Sequence, residues 1–317
     1  MRNIFYNIKR IASLATFFVI HTAQAQQDAQ YNMYLFNQLI INPAYTGTRE
    51  AIAITASLRN QWVGFPGAPK TAYISMHAPL KKYHLGYGIA AMNDRIGARN
   101  TSAAYASISY ILKLSSKWKL SFGTRAGAIN YQFDLNKTNY KDNNDFSFLQ
   151  LNTYQKTVLD IDAGFYAYTR SFYVGWSATH LNQARIIQGT FLVNGLNQSI
   201  LYTLQPHAFF IIGQSFFIND HFLININYLR QTVQDIHKGD LSVNSLIHKR
   251  VWLGIFLRRD YGAGFLTQII VTRQLKIGYS YDTGAGIKKS LGGTHEIMIG
   301  WDIRPKDHTT VINPRFL

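Results

Sequence analysis

From residue 51 to residue 303 apolar and polar residues alternate with a period of two. Ile52, Ile54, Ala56 and Leu58 fall on one side of an extended chain, with Thr55, Ser57 and Arg59 on the other. The pattern returns along the chain. Leu85, Tyr87, Ile89 and Ala91 oppose Gly86, Gly88 and Ala90, and Leu159, Ile161, Ala163 and Phe165 oppose Asp160, Asp162 and Gly164. Ile224, Ile226 and Tyr228 oppose Asn225 and Asn227, and Leu275, Ile277, Tyr279 and Tyr281 oppose Lys276, Gly278, Ser280 and Asp282. Ile297, Ile299, Trp301 and Ile303 oppose Glu296, Met298, Gly300 and Asp302. This periodicity predicts strands over 51–60, 70–79, 84–93, 101–114, 117–131, 156–169, 171–180, 201–212, 219–232, 240–248, 250–258, 262–272, 274–282 and 293–303. That is about fourteen strands, most near the ~9–11 residues a tilted strand needs to cross a bilayer.

The connections sort by length. Those after odd-numbered strands are mostly long: Gln61 to Pro69, Asp94 to Asn100, Gln132 to Gln155, Leu181 to Ile200 and Thr283 to Gly292. Those after even-numbered strands are mostly tight, at Ser115-Ser116, Ser171, Lys249 and Arg273. Long loops on one side and short turns on the other are the pattern of an outer-membrane barrel, with the short turns in the periplasm. In hydrocarbon a sheet can cross only as a closed barrel, because every backbone N–H and C=O needs a partner. The expected fold is therefore all-β: a transmembrane antiparallel up-and-down barrel over 51–303, with both ends in the periplasm. The loops around Trp62, Asp142 and Asn194 are expected outside. Trp62, Trp118, Trp252 and Trp301 fall near strand ends, where an aromatic girdle lies, and Trp176 is well inside a strand. An exported soluble sandwich is the competing fold, but it requires charged outward faces, and these faces are nearly free of charge.

The flanks differ. Arg2, Lys9 and Arg10 precede an apolar run from Ile11 to Ile20, and Ala23-Gln24-Ala25 matches a cleavage site, so 1–25 reads as a signal peptide. Residues 26–50 are polar and aromatic without a period, broken by Pro43 and Gly47, and read as a periplasmic arm or plug in which Asn42, Pro43, Tyr45 and Gly47 stand out. Residues 304–317 form a periplasmic tail.

Composition agrees with a membrane barrel. Aromatic residues make up 14% and charged residues 15% of the chain, and cysteine is absent, which excludes disulfides and thiolate chemistry. The net charge is +16, or +13 once the leader's three cations are removed. The cations stand singly or in pairs, as at Lys81-Lys82, Arg258-Arg259 and Lys288-Lys289. Export argues against a nucleic-acid partner, and anionic lipid or an acidic protein suits the charge better.

Little points to catalysis or a cofactor. The ten histidines show no metal-binding spacing. Asp160 and Asp162 share a strand face about 7 Å apart by strand rise, and read as lumen lining alongside Arg59, Arg125 and Glu296 rather than as an acid/base pair. No nucleophile elbow or phosphate-binding loop is present. The rim loop of Arg59, Asn60, Gln61, Trp62, Gly64, Phe65, Gly67, Pro69 and Lys70 is a stiff aromatic surface. It is either a cap packed on its own strands or a dock for another protein.

Five stretches resemble the PorP/SprF family of outer-membrane proteins of the type IX secretion and gliding machinery. They are NPAYTG (Asn42 to Gly47), RNQWVGFPGAPKT (Arg59 to Thr71), SMHAPL (Ser75 to Leu80), IGYSYD (Ile277 to Asp282) and GGTHEI (Gly292 to Ile297). The chain departs from the family at Gln38, where the pattern has proline, and in its NPRFL ending, which lacks a preceding cysteine. The resemblance implies a barrel without catalytic activity that works with periplasmic ring or motor components. It also implies a role in secreting, or holding at the surface, large proteins with a C-terminal sorting domain, gliding adhesins among them. The polar inward faces leave a second reading open, a small-solute diffusion or uptake channel.

Overall fold

The computed structural model describes residues 28–134, 153–193, 196–258, 262–284 and 292–303. Among these residues fourteen strands close into one antiparallel barrel. In order of sequence they are β1 (Ile52–Asn60), β2 (Lys70–Leu80), β3 (Leu85–Ile96), β4 (Arg99–Lys113), β5 (Lys119–Asp134), β6 (Thr153–Tyr168) and β7 (Phe172–Thr179). Two strands, β8 (Arg185–Val193) and β9 (Leu196–Thr203), make a separate hairpin. The barrel resumes with β10 (His207–Asn219), β11 (Phe222–Val233), β12 (Ile236–Ile247), β13 (Val251–Arg258), β14 (Gly262–Ile270), β15 (Leu275–Asp282) and β16 (Thr294–Ile303). The wall closes where β1 pairs with β16, from Ile52 opposite Ile303 to Asn60 opposite His295.

Alternation puts the apolar side chains outside. Leu58 is 63% and Ile255 64% exposed, while Arg59, Asp160, Asp162 and Glu296 on the other face are buried. A sheet that buries its charges and exposes its leucines is built for lipid outside and a polar lumen inside. The expected leader over 1–25, Asp142, Asn194 and the expected tail 304–317 lie outside the described residues.

Three expectations change. The predicted strand over 201–212 is two elements, with β9 ending at Thr203 and the wall resuming at His207. Pro206 explains the break, because it has no N–H to give the ladder. The expected long connection from Asp94 to Asn100 shrinks to residues 97–98 between β3 and β4, where Gly97 takes φ +54°. Two of its polar residues are lumen lining rather than loop: Asp94 is buried, accepts from the Thr71 hydroxyl at 2.7 Å and pairs with Arg99 at 3.3 Å. Trp252 is no girdle residue. It faces the lumen, fully buried, edge-on to Phe36 at 6.0 Å. Trp118 and Trp301 are exposed.

Candidate functional site

The lumen is filled by the chain's own N-terminal segment. Residues 28–50 carry three 3-10 turns, Met33–Phe36, Gln38–Ile40 and Pro43–Tyr45, and nearly every side chain in the segment is buried. Asn42, Pro43, Tyr45 and Gly47, expected on a periplasmic arm or plug, sit inside the wall.

The NPAYTG stretch shows why the segment stops there. Asn42 caps the Pro43–Tyr45 turn by accepting from the Ala44 N–H at 2.9 Å, and proline suits the first position of such a turn. The Asn42 Nδ2 donates to Phe165 O at 3.0 Å and Trp176 O at 3.4 Å, which ties the turn to β6 and β7. Tyr45 lies edge-on to His77 at 5.5 Å and to Tyr166 at 5.6 Å. The Thr46 hydroxyl donates to Ser107 at 3.0 Å, and Ser109 donates to Thr46 O at 2.6 Å. Gly47 takes φ +69°, and its N–H donates to His77 Nδ1 at 3.0 Å. The wall makes room: a Cβ on Gly123 of β5 would run into the backbone of Ala44.

Charges hold the rest of the segment. Glu296 accepts from the Asn32 N–H at 2.7 Å and the Met33 N–H at 3.4 Å, and pairs with Arg59 at 3.3 Å. Arg258 pairs with Asp240 at 2.6 Å and donates to Asn32 Oδ1 at 3.1 Å. Arg125 grips Asp162 at 2.5 Å, donates to Leu39 O at 3.4 Å and stacks on Tyr105 at 4.4 Å. At the short-turn end Asp302 takes both Arg49 at 3.2 Å and Lys276 at 2.6 Å. Of the residues expected along the lumen, the structure brings Arg59 to Glu296 and Arg125 to Asp162, and sets Asp160 beside Tyr105 at 3.1 Å.

One cluster escapes sequence reasoning. Asp28 lies 3.0 Å from His180 Nε2 and 3.1 Å from His207 Nδ1, while His180 Nδ1 lies 2.8 Å from Asp160. Burial alone would raise the Asp28 carboxyl, but the His180 and His207 charges outweigh it and hold the group well below its usual range. Burial would lower the His180 imidazole, yet Asp28 and the bond to Asp160 carry it well above its ordinary value. With a carboxylate at each ring nitrogen, His180 bridges Asp28 and Asp160, an arrangement that favours its charged form. Asp160, Asp162 and His180 offer metal-type donors within 4.8 Å of one another. Each is already committed, however, with Asp162 to Arg125 and His180 to two carboxylates, so the arrangement is an ion-pair lattice. No sequence spacing links residues 28, 180 and 207; the histidines read as isolated because only the closed barrel joins them.

Among the described residues a small cavity remains in the lumen. It measures about 90 Å³ and opens toward the long-connection end, lined by Tyr31, Tyr73, Thr101, Tyr105, Tyr131 and Asp240 among others. That is room for roughly six to nine waters, each needing ~10–15 Å³ on this measure. Ile186 and Leu204, at the base of the β8–β9 hairpin, are fully buried against the aromatic inner faces of β2, β4 and β5.

The rim loop 61–69 stands at the same end. Its backbone is braced: Gln61 N–H to Pro69 O at 2.9 Å, Val63 N–H to Gly293 O at 2.9 Å, and Gly97 N–H to Gly67 O at 2.9 Å. Trp62 takes φ +51°. Gln61 is buried and Trp62 half-buried, whereas Gly64, Phe65, Gly67 and Lys70 are exposed and Pro69 is half-buried. Arg59 turns inward to Glu296 and Asn60 pairs with Lys70 across the ladder, so Arg59 belongs to the lumen and the rest to the rim.

A family model described as "Type IX secretion system membrane protein PorP/SprF" matches residues 23–301. No curated protein matches the chain. Among solved structures, a Pseudomonas aeruginosa FadL homologue shares 10% identity at a TM-score of 0.48, covering 86% of this chain and 94% of its own. The Acinetobacter baumannii outer membrane protein Omp33 shares 9% at 0.45, covering 80% and 99%. The P. putida toluene transporter TodX shares 8% at 0.45, covering 88% and 95%.

Proposed function

From the premise that this chain belongs to the PorP/SprF family of type IX secretion system membrane proteins, an outer-membrane barrel, we propose that it is a plugged, non-enzymatic component that helps secrete or anchor large surface proteins. Its cargo is a protein with a C-terminal sorting domain, of the adhesin type. The long-connection end faces outward and docks that protein through Phe65 and its neighbours. The short-turn end meets periplasmic ring or motor components.

The observation that carries this reading is the filled lumen. A solute channel needs a passage, and here ion pairs and backbone hydrogen bonds pin residues 28–50 to the wall from the His180 level down to Asp302. Transport through such a barrel would first have to break several buried charge pairs. A protein that acts through its rims has no such requirement. The braced loop supports the same reading, because a rigid exposed aromatic loses little entropy on binding.

The test compares cell-surface and spent-medium proteomes with and without the gene, then with Trp62→Ala/Phe65→Ala. Loss of one or a few large proteins from the surface, and their release by the loop variant, is the expected result. Unchanged proteomes combined with a fall in solute uptake would put the channel reading in its place.

A further inference from the structure

In sequence the cations are scattered, but the fold collects many of them on one rim. At the short-turn end the described connections are 81–84, 114–118, 169–171, 220–221, 248–250 and 271–274. All but 220–221 carry Lys or Arg, and Lys82, Lys117, Arg170, Lys249, Arg250 and Arg273 are exposed. Acidic residues at this end are few. Asp220 occupies the remaining turn, and Glu50, at the foot of β1, lies 3.8 Å from Lys119.

Just behind the cations runs an apolar band. Tyr83, Trp118 and Phe217 are exposed beside Leu80, Leu114 and Val271. Lys82 sits 5.4 Å over the Tyr83 ring and Arg170 5.5 Å over the Phe217 ring. Cations set against outward aromatics are what a side chain needs at a headgroup boundary, with the ring toward acyl chains and the charge toward phosphate.

The distribution selects the partner. The basic turns join β2 to β3, β4 to β5, β6 to β7, β12 to β13 and β14 to β15, so they stand around most of the closed wall. A protein face would cover one arc of the rim, whereas a lipid leaflet touches its whole outer edge. We propose that this rim is a collar for anionic phospholipid headgroups of the leaflet in which it stands, and that the collar fixes the depth and tilt of the barrel. The inference does not depend on the secretion reading.

The experiment uses the full mature chain in nanodiscs of phosphatidylcholine alone or with phosphatidylglycerol. Bound lipids are counted by native mass spectrometry, and the unfolding midpoint is read from gel heat-modifiability. Phosphatidylglycerol is expected to be retained in preference to phosphatidylcholine, with an effect that fades as salt rises. Lys82→Gln/Arg170→Gln/Lys249→Gln/Arg250→Gln should lose that preference, on the order of fivefold per removed cation, with an unchanged midpoint in phosphatidylcholine. If the quadruple variant folds poorly, Lys82→Gln and Arg170→Gln singly give the same readout on a smaller scale. A wild-type chain without the preference, or a variant that keeps all of it, overturns the proposal. So does a rim that binds a soluble acidic protein while ignoring phosphatidylglycerol.

Discussion

Glu296 shows how much one buried carboxylate organises. It takes two backbone N–H groups of the plug and the Arg59 guanidinium, all away from water. Breaking a buried pair by removing one charge leaves the other uncompensated, a loss of about 3–5 kcal/mol. Glu296→Gln should therefore lower the heat-modifiability midpoint strongly, and Arg59→Met/Glu296→Met should recover much of it. A midpoint that stays at the wild-type value in Glu296→Gln would falsify the assignment of this pair as a plug anchor. The Asp28–His180–His207 lattice makes a pH prediction. The folded His180 imidazole titrates above its ordinary 6.5, so its stabilisation is complete below that value and is lost progressively as pH rises toward the folded value. The folded Asp28 carboxyl titrates below its ordinary 3.8, so its share is present above that value and is lost only as pH falls further. Between these limits the lattice is at full strength. Protease protection of the plug should weaken from pH 6 to pH 9, and His180→Gln should flatten that dependence.

Among the elements, the strands were the most legible because a barrel strand has one lipid face and one polar face, and the period of two is written directly in Ile52 to Leu58 or Ile297 to Ile303. What misled was polarity used as a loop signal. In Asp94 to Asn100 the chain stays extended on β3 and β4 with Asp94 and Arg99 turned to the lumen and Arg95 outward, and a local pattern cannot distinguish such a strand end from a polar loop. Trp252 misled similarly, since nearness to a strand end does not say which face a side chain takes. The aperiodic stretch 26–50 reads as an arm or plug, but the contacts it makes are not legible. Its 3-10 turns have no period, and its partners lie far away in sequence, as Asn32 and Glu296 do. The resembling stretches are now intelligible at this scale: Asn42 to Gly47, His77, Ser75, Arg59 and Glu296 all meet where plug touches wall. Gly123 tests this. Gly123→Leu places a side chain on the Ala44 backbone, so the barrel can close only with the NPAYTG turn displaced. The expected outcome is a folded, heat-modifiable barrel whose residues 42–47 become open to protease, whereas Gly97→Ala at the rim turn should leave them protected.

For the whole molecule, the decisive question is whether the barrel conducts. A barrel of fourteen strands is wide enough to hold an aqueous passage once emptied, because diameter grows with strand number. Here that width is occupied by residues 28–50, which supply both apolar packing, with Met33 and Phe36 against Trp252 and Leu266, and polar partners for inward charges, with Asn32 Oδ1 accepting from Arg258 and Arg49 paired with Asp302. The inner wall is thus complementary to its own plug. Taking the plug away would leave Arg258, Arg125 and Glu296 facing water rather than their partners on the plug, which a wide polar lumen tolerates. Three preparations in planar bilayers separate the alternatives. The intact mature chain should be silent, with no steady unitary conductance. Deletion of 28–48, which keeps the outer wall and its lipid-facing surface, should insert and conduct steadily. A chain in which Thr46→Cys and Ser107→Cys, whose hydroxyls lie 3.0 Å apart inside the wall, are crosslinked should stay silent and should still retain its surface protein in cells. If the intact chain conducts, or if the crosslinked chain loses solute uptake but keeps its surface protein, the plug is a gate and the barrel is a channel. If crosslinking changes neither, the chain works through its two rims with its centre permanently shut.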